Sequence, residues 1–210
     1  MKTSIALFIT GLIFTLVPAS VFSQPIPAEF IAGNNYSTIG LIVNKKFSET
    51  SKFGIFHLNK LDIYYNDKEK NDLILQDLLF YEPIKSFRIT GGAFYGGHGF
   101  SPTAGFQYVK KYKSLFILIA PRINIEHDPA YDMMSIIQYT PKLSEKMNLY
   151  TSLKFLKVFD SGGNIKSNPE FKLGLEKGNY QFGFSGALNR QGPYPENEYN
   201  FGVFVVREIF

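Results

Sequence analysis

Residues 170–188 read EFKLGLEKGNYQFGFSGAL, two short zigzags joined by a turn. In the first, Phe171, Leu173 and Leu175 oppose Glu170, Lys172, Gly174 and Glu176. In the second, Tyr180, Phe182, Phe184 and Leu188 oppose Gln181, Gly183, Ser185 and Ala187. Side chains along a β-strand alternate between its two faces, so each segment has one oily face and one wet or small-residue face. The turn Glu176–Asn179 between them makes the unit a hairpin.

The same unit recurs along the chain. In Leu115–Glu126, Leu115, Ile117, Ile119, Ile123 and Ile125 oppose Arg122, Asn124 and Glu126; in Phe87–Tyr95, Phe87, Ile89, Ala93 and Tyr95 oppose Arg88, Thr90 and Gly92. Further strands are predicted at Tyr36–Phe47, Phe53–Tyr65, Leu73–Tyr81, Thr103–Val109, Tyr131–Tyr139, Met147–Phe159 and Tyr199–Phe210. Tight turns at Ser48–Lys52, Glu82–Ser86, Lys110–Ser114, Pro141–Lys146 and Glu176–Asn179 alternate with looser connections. The looser ones are Asn66–Asp72, Gly96–Pro102, His127–Ala130, Asp160–Asn168 and Asn189–Glu198. Transmembrane barrels keep that order, with short periplasmic turns and longer outer loops, and an even strand number. The short stretch Pro27–Gly33, turning at Asn34-Asn35, supplies the strand needed for an even count. The expectation is an all-β, closed antiparallel barrel of about 12 strands, with about 10 as the second choice. Two segments fit poorly: Phe53–Tyr65 loses phase at His57, Asn59 and Lys60, and Leu73–Tyr81 carries Asp77 among apolar residues. A bulge or a different register would account for either.

Composition narrows the class further. Met1-Lys2, the apolar run Ile5–Val17 and the small-residue exit Pro18–Ser23 have the order of a signal peptide. Val21-Phe22-Ser23 fits a cleavage site, so residues 1–23 are expected to be a leader and 24–210 the mature barrel domain. The apolar core, roughly 13 residues, falls short of the about 20 needed to span a bilayer as a helix. No later run approaches that length, so any crossing must use strands. The absence of cysteine excludes a disulfide framework, thiolate metal sites and a lipid anchor after the leader. A net charge of +4 is too small to argue for nucleic acid.

The leader, the repeated hairpins and the last strand Tyr199–Phe210, with Gly202 and a terminal Phe210, resemble the small outer-membrane β-barrel proteins of Gram-negative bacteria. The resemblance is to a structural class rather than to a family of known activity. It implies the outer membrane as location, outer-membrane lipids and the barrel-assembly machinery as partners, and Phe210 as part of the assembly signal. Glu208 departs from the pattern, since an apolar or aromatic residue is usual third from the end.

A closed barrel pairs every backbone donor and acceptor within hydrocarbon. Tyrosines are expected in two girdles, with Tyr64, Tyr65, Tyr95, Tyr131 and Tyr199 above and Tyr81, Tyr112, Tyr139 and Tyr180 below. A lysine or arginine facing lipid at mid-depth costs about 2–4 kcal/mol; outward charges such as Lys45 and Lys157 accordingly lie near strand ends. Arg88, Arg122, Asn124, Glu126, Lys154, Glu170 and Lys172 fall on the opposite face and are expected to line a charged, wet lumen. The inward charges either border a narrow pore or pair and fill it. The lysines at 45, 46, 110, 111 and 113 read as a basic collar on the tight-turn side.

The function expected is non-catalytic: passage or binding of a small solute, or a structural surface component, with no cofactor or metal. An alternative is an acyl hydrolase acting on lipid at the rim, with His98, Ser101, His127 and Asp128 activating a hydroxyl. A second alternative is a soluble periplasmic sandwich or ligand-binding barrel. His57 reads as a lumen or interface residue rather than a metal ligand, because no second ligand stands at a suitable spacing.

Overall fold

The computed structural model describes residues 26–96, 99–125, 129–192 and 196–209. They form twelve strands: β1 (Ile26–Gly33), β2 (Tyr36–Lys46), β3 (Phe53–Tyr64), β4 (Asp72–Ile84), β5 (Phe87–Gly96), β6 (Gly99–Tyr112), β7 (Leu115–Asn124), β8 (Ala130–Tyr139), β9 (Asn148–Asp160), β10 (Gly163–Lys177), β11 (Tyr180–Gln191) and β12 (Glu196–Ile209). Each pairs antiparallel with its neighbours in sequence, and β1 pairs with β12 from Ile26↔Ile209 to Gly33↔Gly202, closing the barrel. The weak first segment is therefore the closing strand. Closure leaves no unpaired sheet edge, the property a membrane-spanning sheet requires.

Period-two alternation decides which residues face out. Phe30, Ile39, Leu79, Ile89, Phe106, Ile119, Leu153, Phe171, Phe182, Phe184 and Val203 form an apolar outer wall; Phe184 is 72% and Leu79 63% exposed. A water-soluble sandwich would bury such residues against a second layer. The single closed sheet with an oily exterior rules that alternative out.

Girdle tyrosines stand outward as expected at Tyr65 and at Tyr81, Tyr112, Tyr131, Tyr139, Tyr180 and Tyr199. Tyr64 is a correction. It is buried on the inner face, where its hydroxyl donates to Glu198 Oε2 at 2.9 Å. Lys46, read as part of a collar, also turns inward and bonds Glu82 at 2.9 Å.

Several strands run further than their sequence suggests. Asp160–Asn168 reads as a loose connection, yet β10 already begins at Gly163 and only Ser161 and Gly162 intervene. The Asp160 carboxylate accepts from the Gly162 N–H at 2.8 Å, and Gly163 takes φ 120°, so Asp and Gly build a tight turn. Polar Asn168-Pro169 mimics a loop because proline lacks the ladder donor. The β10–β11 register passes over it, from Ser167↔Arg190 to Glu170↔Ala187. A bulge falls between Asn164 and Lys166. Similarly, β6 extends back to Gly99, and Ser101 is a strand residue rather than part of a loop.

The phase problem in β3 and β4 has another origin. Their register is unbroken from Phe53↔Tyr81 to Asp62↔Asp72. Alternation is blurred because both faces are apolar: Phe56, Leu58, Ile74, Leu78 and Phe80 are buried inside, while Ile55, Leu61, Leu73, Leu75 and Leu79 face out.

Candidate functional site: the barrel interior

The interior has two unlike walls. On one, Phe56, Leu58, Ile74, Leu78, Phe80, Leu118, Ala120, Met134 and Ile136 from β3, β4, β7 and β8 form a buried apolar cluster, with Ile42, Phe94, Phe116 and Leu156 packed against it. The charged, wet interior expected from the sequence is thus only part of what lines the lumen. The apolar residues of β7 that alternate with its isoleucines, Phe116 and Leu118, fill space inside the barrel.

On the other wall, adjacent strands present opposite charges. Glu170 and Lys154 are cross-strand partners on β10 and β9, and Lys172 follows two residues along the same face. Glu170 Oε1 lies 2.9 Å from Lys172 Nζ and 3.3 Å from Lys154 Nζ. Glu29 of β1 reaches both lysines, closing a four-membered network, and Lys172 also sits 5.8 Å above the Phe204 ring. Nearby, Lys60 bonds Asp62 at 2.8 Å, and Asp62 accepts from the Thr38 hydroxyl at 2.6 Å. Buried ions hold their charge where each has a partner and further hydrogen bonds, which this arrangement supplies.

Three more clusters stand on the inner face. Toward the tight-turn end, Arg88 donates to Glu82 at 3.0 Å and to Asn44 at 2.6 Å, with its guanidinium 3.9 Å above the Phe80 ring. On β7 and β8, Arg122 donates to its cross-strand neighbour Asp132 at 2.6 Å. At the opposite end, Lys166 of β10 pairs with Asp72 of β4. Those strands stand six places apart around the ring, so this ion pair crosses the full width of the lumen. Beside it, Glu198 takes both Tyr64 and Lys70.

Between the walls lies a cavity of about 150 Å³, bordered by Glu29, Lys60, Lys154 and Lys172 on one side and Leu58, Ile74, Met134 and Ile136 on the other. That is room for several water molecules.

Of the residues read from sequence, Arg88, Arg122, Asn124, Lys154, Glu170 and Lys172 all stand on the inner face, and the last three meet in one network. Glu126 and Phe210 lie outside the described residues, as do His98, His127 and Asp128. Ser101 is buried on the inner face of β6, away from the outer surface where a lipid would be attacked. Sequence reading missed Glu29, Lys60, Asp62, Asp72, Glu82, Asp132 and Lys166. Glu29 sits in the weakest strand, and Asp72 and Lys166 in stretches read as loop.

No family model and no curated protein sequence matches the chain. Among solved structures it is similar to the NanC porin, with a TM-score of 0.56 at 12% identity, over 89% of this chain and 99% of that one. It is also similar to the KdgM porin in complex with disordered oligogalacturonate, with a TM-score of 0.53 at 12% identity, over 89% and 100% of the two chains. At this identity the likeness shows a shared fold: a closed 12-strand antiparallel barrel of the outer-membrane porin type.

Proposed function

We propose that the chain is an outer-membrane barrel through whose narrow lumen small solutes pass, and that it does no covalent chemistry. The observation that carries the reading is the inside-out distribution of polarity: an apolar outer wall around an interior that holds paired ions and a cavity of about 150 Å³. Paired ions keep water in a lumen at little net charge, so the solutes are small and discrimination between cation and anion is weak. The porin fold supports this reading; the oligogalacturonate belongs to the KdgM complex. Residues 1–23 then act as a cleaved leader, Phe210 helps present the last strand to the assembly machinery, and the apolar wall meets outer-membrane lipid.

Planar-bilayer recording from the folded mature protein tests the reading. Discrete low-conductance steps are the expected result. Repeated silence from protein that migrates as a folded, heat-modifiable barrel would leave a structural surface component instead.

A further inference from the structure

The charges around the lumen cavity are layered by sign. Lys60 and Lys154 border the cavity and keep 14% and 18% of their side chains exposed. Asp62 and Glu170, the carboxylates they pair with, are 3% and 4% exposed and do not border it. Each ammonium has three N–H groups to place, and these carboxylates engage it from behind. Arg122 repeats the order: it borders the cavity, its partner Asp132 does not, and its Nη1 has no hydrogen-bond partner among the described residues. Of the carboxylates at the cavity, Glu29 stands beside the lysines and Glu208 lies toward the tight-turn end. Lys60 and Lys154 are close enough to repel each other, with Glu170 attracting both, so an anion between them relieves that repulsion.

The same two lysines stand where the ionic wall meets the apolar one. Lys60 of β3 is the cross-strand partner of Ile74 of β4, and Lys154 of β9 is the partner of Ile136 of β8. Met134 and Leu156, paired on those last two strands, continue the hydrocarbon along the cavity. We propose that this cavity binds a small amphipathic carboxylate, an aromatic or short branched acid, with its carboxylate on Lys60 and Lys154 and its hydrocarbon against Ile74, Met134 and Ile136. Inorganic ions engage only the balanced ionic wall and pass with little discrimination. A neutral apolar solute engages only the hydrocarbon. A polyhydroxylated acid sets hydroxyls against Ile74 and Ile136, where they lose their hydrogen bonds to water. An acid with an apolar body satisfies both walls at once, the usual pairing in ligand sites of a mostly apolar lining with a few polar anchors.

This inference rests on the reading of the lumen as a passage, and a binding measurement separates the two. Labelled benzoate is dialysed to equilibrium against the folded mature protein in a non-ionic detergent, with empty micelles as the blank. Saturable binding of one benzoate per barrel is expected. Benzyl alcohol keeps the ring without the charge, and glucuronate keeps a carboxylate without the apolar body; each should bind about tenfold more weakly. Lys60→Gln should also weaken benzoate binding about tenfold. Glu29→Gln removes the carboxylate that competes for the lysines and should tighten it. Met134→Gln, which sets an amide against the ring, should weaken it, and Lys46→Gln, away from the cavity, should leave it unchanged. Heat-modifiable migration shows which variants are folded. Wild-type protein that retains no more benzoate than micelles do, or holds the three probes alike, overturns the proposal. So does a folded Lys60→Gln barrel that binds as before, or looser binding in Glu29→Gln. Any of these beside discrete conductance steps leaves the passage reading intact. Saturable, Glu29-sensitive binding by a barrel that is silent in planar bilayers upholds the site and removes the passage.

Discussion

The apolar cluster on the inner faces of β3, β4, β7 and β8 and the ionic network of β9, β10 and β1 border the same lumen with opposite chemistry. The first is hydrocarbon, with Phe56, Phe80 and Leu118 almost wholly buried. The second is ionic, built on Glu29, Lys154, Glu170 and Lys172. A water-soluble barrel needs an apolar interior to drive folding. Here the outside is already apolar, so inward hydrocarbon is not required for insertion. Its effect is to occupy space: it fills one side of the lumen and leaves the ionic wall bordering the cavity. The two walls should therefore fail differently when altered, one in stability and the other in permeation.

The largest effect is expected on the apolar wall. Phe56→Ala removes a fully buried ring from the centre of the cluster, and such truncations cost about 3–5 kcal/mol. Leu79→Ala, on the outer face of the adjacent strand, leaves a gap that lipid can fill, and surface changes usually stay within about 0.5 kcal/mol. Urea unfolding from lipid vesicles would compare them. Equal losses would mean that the inner cluster is not a packed core.

Next comes Glu170→Gln. The carboxylate lies between two lysines, and removing it leaves Lys154 and Lys172 to share Glu29 alone. Loss of a charged hydrogen-bond partner costs about 1–3 kcal/mol. The penalty should shrink as salt rises, because lumen water and ions screen the stranded charge. The Phe56→Ala loss should show no such relief. If both respond to salt alike, the distinction between a dry wall and a wet one fails.

The unequal legibility of the walls has the same root. Where one face is apolar and the other ionic, as in residues 170–188, period two is plain, and Glu170 and Lys172 can be assigned to the interior from their positions alone. Where both faces are apolar, as in β3 and β4, alternation carries no signal, and Phe56, Leu78 and Phe80 are indistinguishable from lipid-facing neighbours. His57 and Asp77 look like errors of phase because their common explanation, a register that sets them opposite each other, is a long-range property. The same holds for Lys166 and Asp72. Each is an ordinary loop-like residue until closure of the barrel brings opposite walls together. Strand ends were the least legible: Asn168-Pro169 has turn composition but lies within β10.

A change of charge in the ionic network should also register in selectivity. Lys172→Gln leaves Glu29 and Glu170 in excess beside the cavity. Reversal potentials in asymmetric salt are expected to shift toward cation preference, with the mirror-image shift for Glu29→Gln. Lys46→Gln, paired with Glu82 at the far end of the apolar wall, should shift them less, because it does not border the cavity. If all three act equally, ions sense only the total charge and the ionic wall has no special place in the path.

The smallest change in stability and the most direct view of the path should come from the ion pair that joins the walls. Lys166 and Asp72 meet across the lumen at the end away from the tight turns, and both side chains retain some exposure to solvent. Partly exposed pairs contribute about 0–1 kcal/mol, so Lys166→Ala should unfold at nearly the wild-type urea concentration. Its influence on passage is steric as much as electrostatic, because the two side chains form a bar over the opening. Lys166→Ala and Asp72→Ala should each raise single-channel conductance, and by similar amounts despite opposite changes in charge. Opposite effects on conductance would instead mean that the pair works as a fixed charge at the rim, with the narrow point deeper, between Lys172 and Met134.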